Sequence, residues 1–133
     1  MKATMSLLVL GICLVSVGCR GSVEATKAYL DEKDNLLMQI SKTLEANPSE
    51  AGVDEARKMF EAKKGDLKAK QEASKQESGE STRMIIEAGS TRNNILLEIS
   101  GNFRTSCYKA HSPEKCEPAI NKLSALDKDL RGF

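Results

Sequence analysis

The 133-residue chain holds four cysteines and one histidine. Thiol, imidazole or metal chemistry must therefore be assembled from Cys13, Cys19, Cys107, Cys116 and His111. By ligand type, Cys107, His111 and Cys116 with Glu114 or Glu117 could hold zinc. Their spacing matches no strong metal signature, and oxidation would remove two of the ligands. A redox-active dithiol is ordinarily Cys-x-x-Cys, whereas eight residues separate Cys107 from Cys116. His111 as a general base needs a nucleophile at hydrogen-bond distance, and no residue is nominated for that role. The patterns G-x-S-x-G, G-x-x-x-x-G-K-[ST], H-E-x-x-H and the calcium loop do not occur. Carboxylates are plentiful but interleaved with lysines, the pattern of a solvated helix face. The expectation is a protein with no catalytic residue, no metal and no cofactor beyond covalent lipid, and with His111 in a surface loop.

The lipid expectation comes from the N-terminus. Lys2 is followed by the uncharged run Leu7-Leu8-Val9-Leu10-Gly11-Ile12-Cys13-Leu14-Val15, a positive n-region and a short apolar stretch of the secretory type. The run is far short of the ~20 residues that cross a bilayer as a helix. Ser16-Val17-Gly18-Cys19 then resembles the lipobox of bacterial lipoproteins, in which small residues precede a cysteine. Ser16 departs from the usual Leu, Val or Ile at its position. Cys13 is no rival, because Ile12 before it is too large for the cleavage pocket. The resemblance covers residues 1–19 and implies cleavage before Cys19, with a diacylglycerol on its sulfur and an acyl group on its new amino terminus. Two or three acyl chains hold a protein stably on a membrane, since each buried methylene contributes ~0.8 kcal/mol. Arg20 stands where an Asp would resemble an inner-membrane retention signal, so the implied location is the outer membrane, facing the periplasm.

An exported chain meets an oxidising compartment, where two remaining cysteines usually pair. Cys107 and Cys116 are then expected to form a disulfide, a staple contributing roughly 2.5 to 3 kcal/mol for a loop of about ten residues.

These groups must be carried by helices, because apolar residues recur with helical period nearly throughout. Val23, Leu30, Leu37 and Leu44 repeat every seven residues, widened by Tyr29, Leu36 and Ile40. Asn47-Pro48 ends that helix, and a second starts near Pro48 or Ser49 with Val53, Ala56, Phe60 and Leu67 on its core face. From Glu61 to Arg83 nearly half the residues are charged, which reads as a solvated helix of mixed sign more readily than as an electrostatic docking face. A break is expected at Glu77-Ser78-Gly79-Glu80-Ser81. A third helix carries Ile85, Ala88, Leu96, Ile99 and Phe103, broadened by Ile86, Ile95 and Leu97, and reads as the central helix. A fourth, beginning after Ser112-Pro113 or Glu117-Pro118, carries Ile120, Leu123, Leu126 and Leu130. The expected fold is all-α: a small antiparallel, up-and-down bundle of three to four helices with one disulfide. The organisation is a signal peptide over 1–18, a lipidated cysteine and short tether over 19–22, and one helical domain over 23–133.

Composition narrows the function further. Lys and Arg number 20 against 19 Asp and Glu, aromatic residues make up 4% and Trp is absent. Removal of 1–18 takes away only Lys2, leaving a balanced chain with no basic field for nucleic acid. The scarcity of aromatic rings argues against a sugar- or base-stacking platform. The leading expectation is a non-catalytic envelope lipoprotein whose helical domain binds another protein. Candidate contact faces are Val23, Leu30, Leu37, Leu44 and Leu123, Leu126, Leu130, both of which read more simply as core. The alternative is a structural, self-associating envelope spacer. By architecture alone, the chain also looks like the pilotins that escort secretins and like exclusion or immunity lipoproteins.

Overall fold

The computed structural model describes residues 17–75 and 79–133, with side chains from Val23 onward. Residues 1–16 of the expected signal peptide and the side chain of Cys19 lie outside the described residues. Four helices are present: α1 (Val17–Ala46), α2 (Glu50–Ser74), α3 (Gly79–Ala110) and α4 (Pro113–Arg131). The all-α expectation holds, and the described residues contain no strand.

Local chemistry accounts for the helix ends. α1 stops at Ala46, ahead of Asn47-Pro48. Ser49 then caps α2 by accepting from the Gly52 amide, which satisfies one of the amides a helix start leaves unpaired. Pro48 thus lies just outside the helix. Pro113 occupies the first turn of α4 and Pro118 lies inside it, so the fourth helix begins at the earlier of its two proline pairs. α1 extends further back than the apolar pattern indicated: residues 19–22, read as a tether, belong to it.

α1 packs on α2 and α3, and α4 packs on the same two. The helices therefore stand at the corners of a square, with α1 diagonal to α4 and α2 diagonal to α3. Short turns make α1–α2 and α3–α4 antiparallel hairpins. Between hairpins the neighbours run parallel. Arg92 of α3 meets Leu30 and Asp34 of α1, and Ile99 and Phe103 lie further along beside Leu44. On the other side Lys122 pairs with Glu50 and Asp54, and Asp129 with Arg57. The chain alternates in direction as expected, but α2 and α3, consecutive in sequence, stand at diagonal corners. α3 is correspondingly a corner helix and not the central one.

The core is continuous through Leu36, Leu37, Ile40, Leu44, Val53, Ala56, Phe60, Leu67, Leu96, Ile99, Phe103, Leu123, Leu126 and Leu130. Burying a side chain of this size contributes about 1.5–3 kcal/mol. The charged stretch from Glu61 is solvated helix to Ser74, apart from buried Leu67 and Ser74. Its Lys63 and Lys70 both reach Glu32 on α1, at 2.8 and 3.2 Å. Those hydrogen bonds hold the Glu32 carboxyl below the usual carboxylate range. Lys70 also pairs with Asp66 at 2.9 Å, one turn earlier, the spacing that favours a helix.

Candidate functional site

Cys107 and Cys116 are joined, with Cα atoms 5.8 Å apart, and both are fully buried. The bridge ties the last turns of α3 to the first turns of α4. His111 lies in the intervening turn, its amide donating to the Cys107 carbonyl at 2.8 Å. Its ring is exposed, beside an open depression of about 370 Å³ lined by Ser49, Glu50, Ala51, Glu114, Lys115 and Pro118. With the two sulfurs bonded to each other, neither thiolate is left as a ligand. Among the described residues, no group of three or more His, Cys, Asp and Glu side chains is placed to hold a metal ion.

The leucine faces named as contact candidates turn inward. Leu123, Leu126 and Leu130 are buried, as are Leu37 and Leu44, while Leu30 and Val23 are half-buried. These stripes are used mainly in bringing the hairpins together, and only Val23 and Leu30 keep part of their surface in solvent. Apolar side chains are exposed elsewhere. Ile86, Leu97 and Tyr108 are 69%, 62% and 45% exposed, although Ile86 and Leu97 were expected to widen the core. They follow one another at eleven-residue intervals, about three turns plus 20°, and so share one flank of α3. The exposed residues between them include Ser90, Asn93, Asn94, Gly101 and Thr105, with Arg104 and, in line with Thr105, Glu87 as charges on that flank. α2 by contrast carries charges along its whole outer surface. The widening fails because, among the described residues, α3 packs on α1 and α4, and neither covers this flank.

At the opposite end from the disulfide, α4 stops while α1, α2 and α3 continue. This leaves a cavity of about 150 Å³ lined by Tyr29, Leu30, Lys33, Ile85, Gly89, Arg92, Asn93, Leu96, Arg131 and Phe133. Lys33 and Arg92 are each only 7% exposed. Arg92 donates through Nη2 to the Asp34 carboxylate at 2.6 Å and to the Leu30 carbonyl at 3.1 Å. Its Nε is buried without a hydrogen-bond partner. Tyr29 and Lys33 both donate to the main-chain oxygen of Phe133, whose ring packs edge-on against Phe60 at 5.8 Å. Burial pushes the Lys33 ammonium down to about 8; repulsion from Arg92 adds to this and Asp34 opposes it. Burial also raises the Tyr29 phenol, against the opposing pull of Arg92 and a hydrogen bond with Gln71.

Neither basic residue was singled out from sequence, although a signal was present. Lys33 lies one turn from Tyr29 and one from Leu37, and Arg92 one turn before Leu96, so both interrupt an apolar register.

No family model, curated protein or solved structure matches this chain. Among the described residues, no helix is long and apolar enough to cross a membrane.

Proposed function

We propose that this protein is a bacterial envelope lipoprotein, anchored through acyl chains on Cys19 to the outer membrane and facing the periplasm, whose helical domain binds another protein without catalysing a reaction. The anchor rests on Lys2, the apolar run and Ser16-Val17-Gly18-Cys19. The observation that carries the binding role is the flank of α3, where Ile86, Leu97 and Tyr108 stand exposed in a row with few charges between them. Interface cores are depleted in charge and enriched in aromatic and large apolar side chains. A row about 33 Å long suits a partner helix laid alongside.

Two measurements test this. The intact mass of protein taken from membranes reads a start at Cys19 with two or three acyl chains, and a gain of two hydrogens on reduction. An unlipidated mass removes the anchor. A photo-reactive residue at Leu97 then reads the surface in cells. Cross-linking to one envelope protein, lost with Leu97→Lys, supports the binding module. Cross-linking only to a second copy, with a dimer in sedimentation, transfers the assignment to a self-associating spacer.

A further inference from the structure

Arg104 stands within the apolar row of α3 and not beside it. It comes seven residues after Leu97 and four before Tyr108, so the three side chains leave the helix within about 40° of one another. All three are exposed. A helix laid over Leu97 and Tyr108 must therefore cover the Arg104 guanidinium as well. Resting on the binding role above, we propose that the partner is an amphipathic helix with an Asp or Glu set in its apolar stripe, whose carboxylate pairs with Arg104 between Leu97 and Tyr108.

The answering charge has to come from the partner. Among the described residues Arg104 forms no ion pair and no side-chain hydrogen bond. The nearest acidic residue of α3, Glu98, lies six residues earlier and about 120° round the helix. Glu87, the other charge on this flank, already pairs with Arg83 at 3.0 Å. Covering a cation strips its water, and the loss is recovered only when an opposite charge meets it with good geometry. A carboxylate matches the guanidinium fork in two parallel hydrogen bonds. Tyr and Arg are also the residue types that carry most energy at the covered centre of an interface. Gly101, between Leu97 and Arg104, projects no side chain, and a Cβ there would meet nothing within 4 Å, so the partner's backbone can come close. A second copy is a poorer occupant. Lying parallel in register it sets arginine against arginine, and lying antiparallel about Leu97 it sets Ser90 against Arg104.

The full-length chain in cells, with a photo-reactive residue at Leu97, tests the assignment. We expect the wild-type cross-link to map to a partner segment with apolar residues three and four apart and an Asp or Glu within about two turns of the captured residue. Arg104→Glu and Arg104→Leu should each cut the cross-link yield by about tenfold or more, and Arg104→Lys by less. Arg104→Leu lengthens the apolar row, so docking by apolar contact alone would leave its yield undiminished. Exchanging the partner's acidic residue for Lys should abolish capture by the wild type and restore it with Arg104→Glu. The side chain is exposed and unbonded within the domain, so these variants fold. An undiminished yield with Arg104→Leu, a captured segment without Asp or Glu, or no restoration by the exchanged pair overturns the proposal and leaves the binding role standing. No cross-link in the wild type, or one only to a second copy, overturns that role and the proposal together.

Discussion

Gly52, on the third residue of α2, faces the carbonyl of Asn47 across the α1–α2 turn so closely that a Cβ would stand 1.9 Å from that oxygen. The neighbour is main chain and cannot rotate away, so the turn itself would have to open. Gly52→Ala should cost about 1–3 kcal/mol, the usual range for forcing extra atoms into a packed site. Gly65, on the same helix with open space around it, supplies the opposite sign: Gly65→Ala should stabilise by about 0.5–1 kcal/mol. Urea denaturation of the two variants separates steric contact from helix propensity. Equal effects would deny the close approach at Asn47.

The disulfide closes a short loop between two packed helices. Reducing it, or replacing Cys107 and Cys116 together by Ala, should lower stability by about 2–3 kcal/mol while leaving the helical circular-dichroism signal in place. Loss of all helix at ambient temperature would mean that the bridge is a condition of folding and not a supplement to it.

Lys33 gives a pH dependence of definite sign. The folded group releases its proton near pH 8, an unfolded lysine near 10.4. Below pH 8 both states hold the proton and the folded protein carries the buried charge. Between the two values the unfolded state binds more protons, so stability rises with pH. Tyr29, raised by burial, acts in reverse above about pH 10, where the unfolded phenol ionises first. Comparing urea stabilities at pH 7 and 9.5, the wild type should gain about 1–2 kcal/mol relative to Lys33→Met. An identical rise in both would place its origin elsewhere.

Arg92, its side chain 9% exposed, is the most buried member of the ion pairs described, and its partner Asp34 is 48% exposed. Asp34→Asn should cost about 1–3 kcal/mol, because the guanidinium stays buried with its charge unanswered. Arg83 and Glu87 pair instead within one helix, one turn apart and in solvent, at 3.0 Å. Arg83→Ala should change stability by less than about 0.5 kcal/mol.

His111→Ala should move stability by less than about 0.5 kcal/mol, as expected for an exposed turn residue, and should leave partner cross-linking at Leu97 unchanged. A folded His111→Ala protein that has lost its cellular role would contradict the non-catalytic reading.

The elements were legible because their signals are local. Asn47-Pro48-Ser49 carries its own stop and start, and the positions of Val53, Ala56, Phe60 and Leu67 name the buried face of α2 without reference to any other helix. Cys107 and Cys116 could be paired once export was inferred. The arrangement was not legible, because the same stripes satisfy either neighbour order around a square. Nothing in the sequence of residues 74–79 states whether α3 stands beside α2 or diagonal to it. The exposure of Ile86 and Leu97 follows from the corner position of α3, which among the described residues packs on α1 and α4. The burial of Lys33 and Arg92 was missed for a related reason. A charge inside an apolar register is read as the edge of the stripe, and it becomes interior only when the end of α4 and Phe133 close over it.

The continuity of α1 from Val17 bears on how a lipid at Cys19 would present the domain. A helix rising about 1.5 Å per residue carries the chain about 40 Å from Cys19 to Ala46 without a joint. An acylated Cys19 would thus be the foot of a rod and not the end of a string. So anchored, the domain would stand off the bilayer at a set height and sweep little area, with the disulfide-bonded end pointing away from the lipid. A partner would then have to reach that far from the lipid or come alongside the rod, where α3 runs parallel to it and holds out its apolar row.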